Sequence, residues 1–73
     1  MTNKRKEAGW VVIHMAHTQQ RAEQIERLLD GEGFLIRVRP VARALSGDSC
    51  FEVLSLSSEA KEARDLLQER GFV

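Results

Sequence analysis

In 73 residues the chain has one cysteine, one proline, one tryptophan and no tyrosine, and it carries no net charge. A single thiol, Cys50, excludes an internal disulfide and any paired-cysteine metal or redox motif, so a reduced, cytoplasmic setting is the expectation. Eleven cations balance eleven anions, leaving no global field to favour nucleic acid or a membrane surface. No apolar run approaches the length of a membrane span. The apolar stretch after Gly9 is short and passes into polar sequence, unlike a cleaved signal segment. A nucleophile elbow, a P-loop and a dinucleotide fingerprint are all missing. So short a chain also has little material to enclose an organic cofactor. The expectation is a protein that is not an enzyme and holds no cofactor.

What the chain does have is a repeat. From Ala22 it runs A-x-x-I-x-x-L-L-x-x-x-G-F, and from Ala60 it runs A-x-x-A-x-x-L-L-x-x-x-G-F. Residues 1–9, with Lys4, Arg5 and Lys6, lack apolar periodicity and read as a solvated basic tail. The folding unit is then a single domain over 10–73, close to the lower size limit for a chain that buries its own core.

Trp10 to Met15 is almost wholly apolar, with Val11, Val12 and Ile13 β-branched, which predicts a well-covered strand. Thr18 is placed to cap a helix whose Ala22, Ile25, Leu28 and Leu29 fall on one face. Gly33 supplies a left-handed C-terminal position, after which Phe34 can fold back on Leu29. Phe34 to Arg39 alternates as a second strand, and Pro40 is expected to end it. Residues 41–49 read as a loop.

Cys50 to Leu56 predicts a third strand. Facing all apolar positions inward pairs Ile36 with Val53 and Val38 with Phe51, and sets Arg37 opposite Glu52 and Leu35 opposite Leu54. Ser57 or Ser58 should cap a second helix whose buried stripe is Ala60, Ala63, Leu66 and Leu67. Only Phe72 and Val73 remain for a vestigial fourth strand. The order β-α-β-β-α-(β) predicts a ferredoxin-like α+β sandwich, with an antiparallel sheet in the order 4-1-3-2 and both helices on one face.

WVVIHMA, then T-x-x-x-A-x-x-I-x-x-L-L-x-x-x-G, a basic second strand, and FEVLSLSSEAKEARDLL together resemble a small bacterial family described as signal-transducing proteins. The resemblance runs from Trp10 to about Leu67. It implies a domain of unknown function folded like one half of the nitrogen-regulatory PII proteins, without assigned catalytic residues. Family members carry a V-P-E turn after the third strand, where this chain has Ser57-Ser58-Glu59. By the same likeness, the loop carrying Arg43 would be the one that meets an effector.

His14 and His17 flank the end of the first strand, where metal carriers of this topology place two cysteines. Two histidines alone leave a metal under-coordinated, so no metal site is assigned, and a carrier using His14 and His17 stands as an alternative reading. Cys50 has no histidine near it in sequence and reads as an ordinary thiol. RNA-binding modules of this topology need several aromatics on the third strand, which CFEVLSL lacks, so nucleic acid is not an expected partner. What is left is the sheet face without helices: Trp10, Val12, His14, Leu35, Arg37, Arg39, Glu52 and Leu54. Its mixture of apolar and charged residues suits a surface for self-association, most simply a homodimer, or for a protein or small effector. The leading expectation is a non-catalytic binding or regulatory module. A small-ligand sensor like the amino-acid-binding regulatory domains is the first alternative.

Overall fold

A computed structural model describes residues 9–42 and 49–73. Strand β1 (Trp10–Ala16) leads into helix α1 (Gln19–Gly31), followed by β2 (Ile36–Ala42), β3 (Ser49–Leu56), a 3-10 turn (Ser57–Glu59) and helix α2 (Ala60–Glu69). The strands form one antiparallel sheet in the order β1-β3-β2. This is a small α+β architecture compatible with a ferredoxin-like fold. It is not the four-stranded 4-1-3-2 sheet expected from the sequence. Phe72 and Val73 form no strand among the described residues. The Phe72 amide instead donates to the Leu67 carbonyl at 2.9 Å, so the residues left for a fourth strand are spent on ending α2.

Both helix ends follow from local chemistry. Thr18 is extended and its hydroxyl accepts from the Arg21 amide at 3.0 Å, satisfying one of the free donors of the first turn. Gly33 and Gly71 have φ of 95° and 82°, the left-handed conformation glycine adopts without steric cost. The amides of Phe34 and Phe72 then reach back to the carbonyls of Leu29 and Leu67, at 3.0 and 2.9 Å. That is the Schellman pattern in both repeats. The start of α2 departs from expectation. Neither serine caps it; Glu59 occupies the cap position without a side-chain bond to the helix. Its carboxylate accepts instead from the Leu35 amide at 3.2 Å, tying the 3-10 turn to the entry of β2.

The core lies between the helices and one face of the sheet. Ile13, Ile25, Leu29, Val53, Ala60, Ala63 and Leu67 are its buried members. Leu28 and Leu66, expected among the most buried positions, are only partly buried at its margin, as are Val11, Phe34, Ile36, Val38 and Phe72. Ser55 is also fully buried, and its hydroxyl donates to the Leu56 carbonyl at 3.0 Å, which removes the cost of an orphaned donor.

The β2–β3 register differs from expectation, and the β1–β3 ladder contains an irregularity. On β2, Ile36 pairs with Ser55, Val38 with Val53 and Arg39 with Glu52. This is a slip of two positions along β3 that keeps every side chain on its expected face, because side chains alternate with period two. Pro40 does not end β2; it pairs with Phe51 inside the strand. Proline is tolerated there because β2 is a sheet edge, where its missing amide can face away from the ladder. In β1 the register shifts between Val12, opposite Leu54, and His14, opposite Val53. Ile13 is thus the extra residue of a β-bulge.

Candidate functional site

The bulge divides the two ends of β1 between the two faces of the sheet. Trp10 and Val12 lie opposite Leu56 and Leu54, on the face turned away from the helices. Strict alternation would put His14 beside them. The inserted residue reverses the parity, so Met15 takes that face opposite Glu52, while His14 pairs with core residue Val53. The structure therefore removes His14 from the predicted sheet-face group. It lines a cleft of about 410 Å³ with Met15, Ala16, His17, Thr18, Arg21 and Phe72. Burial, then the nearby Arg21 charge, then His17, all hold the His14 pKa below its ordinary value of 6.5.

Of the other predicted residues, Trp10, Val12, Arg37, Arg39, Glu52 and Leu54 fall on one side of the ladders, and Leu35 lies just before β2. Arg37 lies opposite Leu54 rather than Glu52, and its guanidinium stacks on the Trp10 ring, 4.5 Å from the centroid. Since Trp10 is on β1 and Arg37 on β2, this cation–π pair spans β3. Leu54, offered by the sequence as a residue for a partner to bury, is only 5% exposed. It lies between Val12 and Arg37 in the ladders. Glu52 takes Arg39 as its partner, with Arg39 Nε donating to Oε1 at 2.9 Å. The apolar groups still offered to solvent are Trp10, Val12 and Leu35, at 36, 40 and 58% exposure.

Beside this face runs the outer edge of β1. Among the described residues, β1 is bonded along one side only, to β3. The Gly9 carbonyl, just before it, accepts from the Ser57 amide at 2.9 Å. Arg43, expected in an effector loop, and the basic tail through Ala8 lie outside the described residues.

Two features of the site were not legible in the sequence. Arg21 and Phe72, far apart in the chain, close the cleft together, with the Arg21 guanidinium 4.6 Å from the Phe72 ring centroid. At the end of the β1–β3 ladder, the Cys50 thiol also meets His17, with Sγ 3.9 Å from Nδ1. That pairing depends on the bulge, which shifts His17 into line with Cys50. Among the described residues, no three of His, Cys, Asp and Glu converge as a metal site. No helix there is long and apolar enough to cross a membrane. No family model, curated protein or solved structure matches the chain.

Proposed function

We propose that this chain is a non-catalytic, ferredoxin-like regulatory module that works as a pair of identical copies. One observation carries the reading: among the described residues the outer edge of β1 is unpaired, and it adjoins a sheet face that exposes Trp10 and Val12, with Leu35 exposed just before β2. A strand edge offers backbone donors and acceptors at fixed spacing, and neighbouring apolar side chains supply the burial that makes pairing favourable. Identical chains meeting in this way close about a two-fold axis. The likeness of its strand and helix pattern to small signal-transducing domains supports a regulatory role.

Light scattering over a hundredfold range of concentration tests the proposal. The expected result is a mass that rises toward two copies, and Val12→Glu should return it to one. A single-copy mass throughout, unchanged by that substitution, removes the interface. The cleft favours a second reading, a small-ligand sensor, because its volume lies in the range of about 300–1,000 Å³ typical of ligand pockets. A panel of metabolites read by thermal shift separates the two, since a sensor is stabilised by one compound and a pairing module by none.

A further inference from the structure

The geometry points to a cuprous-ion site at the end of the β1–β3 ladder, formed by the Cys50 thiolate, the His17 imidazole and the Met15 thioether. Cys50 Sγ and His17 Nδ1 are 3.9 Å apart. That is long for a hydrogen bond between these atoms, but it suits a shared metal. With metal bonds of about 2.3 Å to sulfur and about 2.0–2.1 Å to nitrogen, donors stand about 3.8 Å apart in a trigonal arrangement and about 3.6 Å in a tetrahedral one. Two donors leave the ion under-coordinated, so the pair needs at least one further donor.

Met15 is placed to supply it. It lies opposite Glu52 on β1, and Cys50 is two residues from Glu52 on β3. Met15 and Cys50 are therefore diagonal neighbours on the same face. Such positions are about 7–8 Å apart at Cα, within reach of a long, unbranched side chain. The bulge at Ile13 is what turns Met15 to this face.

The donor set selects the ion. Thiolate and thioether sulfur are soft ligands that favour Cu(I), and one imidazole is compatible with it. A trigonal set suits a d¹⁰ cuprous ion, whereas structural zinc is held by four ligands. The carboxylate of Glu52, on this face opposite Met15, is engaged by Arg39. Cys50 is 3% exposed and His17 is exposed, so the ion reaches the sulfur from the histidine side. On binding, the thiol proton leaves to solvent and the metal–sulfur bond forms in its place. No electron is transferred, because copper enters already reduced. This site shares His17 and Met15 with the cleft lined by His14 and Arg21 and differs from it in Cys50, and it does not depend on pairing of two copies.

The test is an anaerobic titration of the full chain with Cu(I) buffered by bicinchoninate. The chain should withdraw one equivalent from the chelator, with a thiolate-to-copper charge-transfer band in the ultraviolet. Cys50→Ser should abolish the band. His17→Ala should weaken binding by more than the roughly 10–100-fold that loss of an outer-shell partner costs. Met15→Leu, which keeps the volume and removes the sulfur, should weaken it as well, and His14→Ala should leave it unchanged. Circular dichroism confirms that each variant is folded, and because His17 is exposed its variant stands even if Cys50→Ser does not fold. Failure to compete with bicinchoninate overturns the site. So does wild-type affinity in the His17 or Cys50 variant, and an equal loss in His14→Ala would move the copper to the cleft. Wild-type affinity in Met15→Leu overturns the trigonal set.

Discussion

Ile13 and His14 face a single partner, Val53, and the chemistry of both sheet faces turns on that count. Ile13 is 7% exposed and belongs to the core, while His14 is half-buried against a helix that carries Arg21. His14 is therefore more easily protonated in the unfolded chain than in the folded one. Its folded pKa is depressed, so the unfolded state binds more protons as pH falls through about 6.5, and stability should decline there. The full contribution of the neutral imidazole is present above that value. Thermal melts from pH 8 to pH 5 should show this decline, and His14→Gln should flatten it. A second residue-scale expectation concerns Arg37. Replacing it with alanine removes a cation–π contact of about 0.5–1 kcal/mol and uncovers Leu54. Loss of stability and a gain in binding of a hydrophobic dye should appear together.

At the scale of the element, the helices were the more legible part. A cap or a Schellman ending joins residues at most five apart, so Thr18, Gly33, Phe34, Gly71 and Phe72 announce themselves in the sequence. Each glycine can be tested, because a Cβ at Gly33 or Gly71 would meet nothing within 4 Å. Gly33→Ala and Gly71→Ala should each cost about 1–2 kcal/mol from backbone conformation alone. The sequence also marks the apolar stripe of each helix, but not which leucine of each pair is central. Leu29 and Leu67 are fully buried, and Leu28 and Leu66 lie at the margin. Leu29→Ala and Leu67→Ala should cost about 2–5 kcal/mol, and Leu28→Ala and Leu66→Ala less, when read by denaturant unfolding. An equal loss within each pair would contradict the observed core. Strand register was less legible. Arg37 and Arg39 are both basic and share a face, so charge pairing with Glu52 permits either one, and alternation cannot detect a slip of two. The bulge left no mark in WVVIHMA, since Ile13 and His14 read as an ordinary alternating pair. Misplacing His14 and missing the contact between His17 and Cys50 both follow from that one inserted residue.

For the whole molecule, backbone hydrogen exchange should rank the strands by position. Amides of β3, bonded on both sides, should exchange slowest. Those on the outer side of β1 should exchange fast in dilute solution and slow down as concentration rises, if copies meet along that edge. Protection that appears on β2 instead would place the contact on the opposite side of the sheet. Pro40 bears on that distinction. Open-ended growth requires the β1 edge of one molecule to meet the β2 edge of the next, and so on without limit. A strand arriving at β2 finds no amide donor at Pro40, so that junction is short of a bond each time it forms. The β1 edge carries no proline, so two β1 edges can meet without losing a donor. If copies meet along β1, the proline thus works against open-ended strand addition at the other edge of the sheet. Pro40→Thr supplies the missing donor, and concentrated solutions of that variant should form filaments visible by electron microscopy where the unaltered chain stays clear.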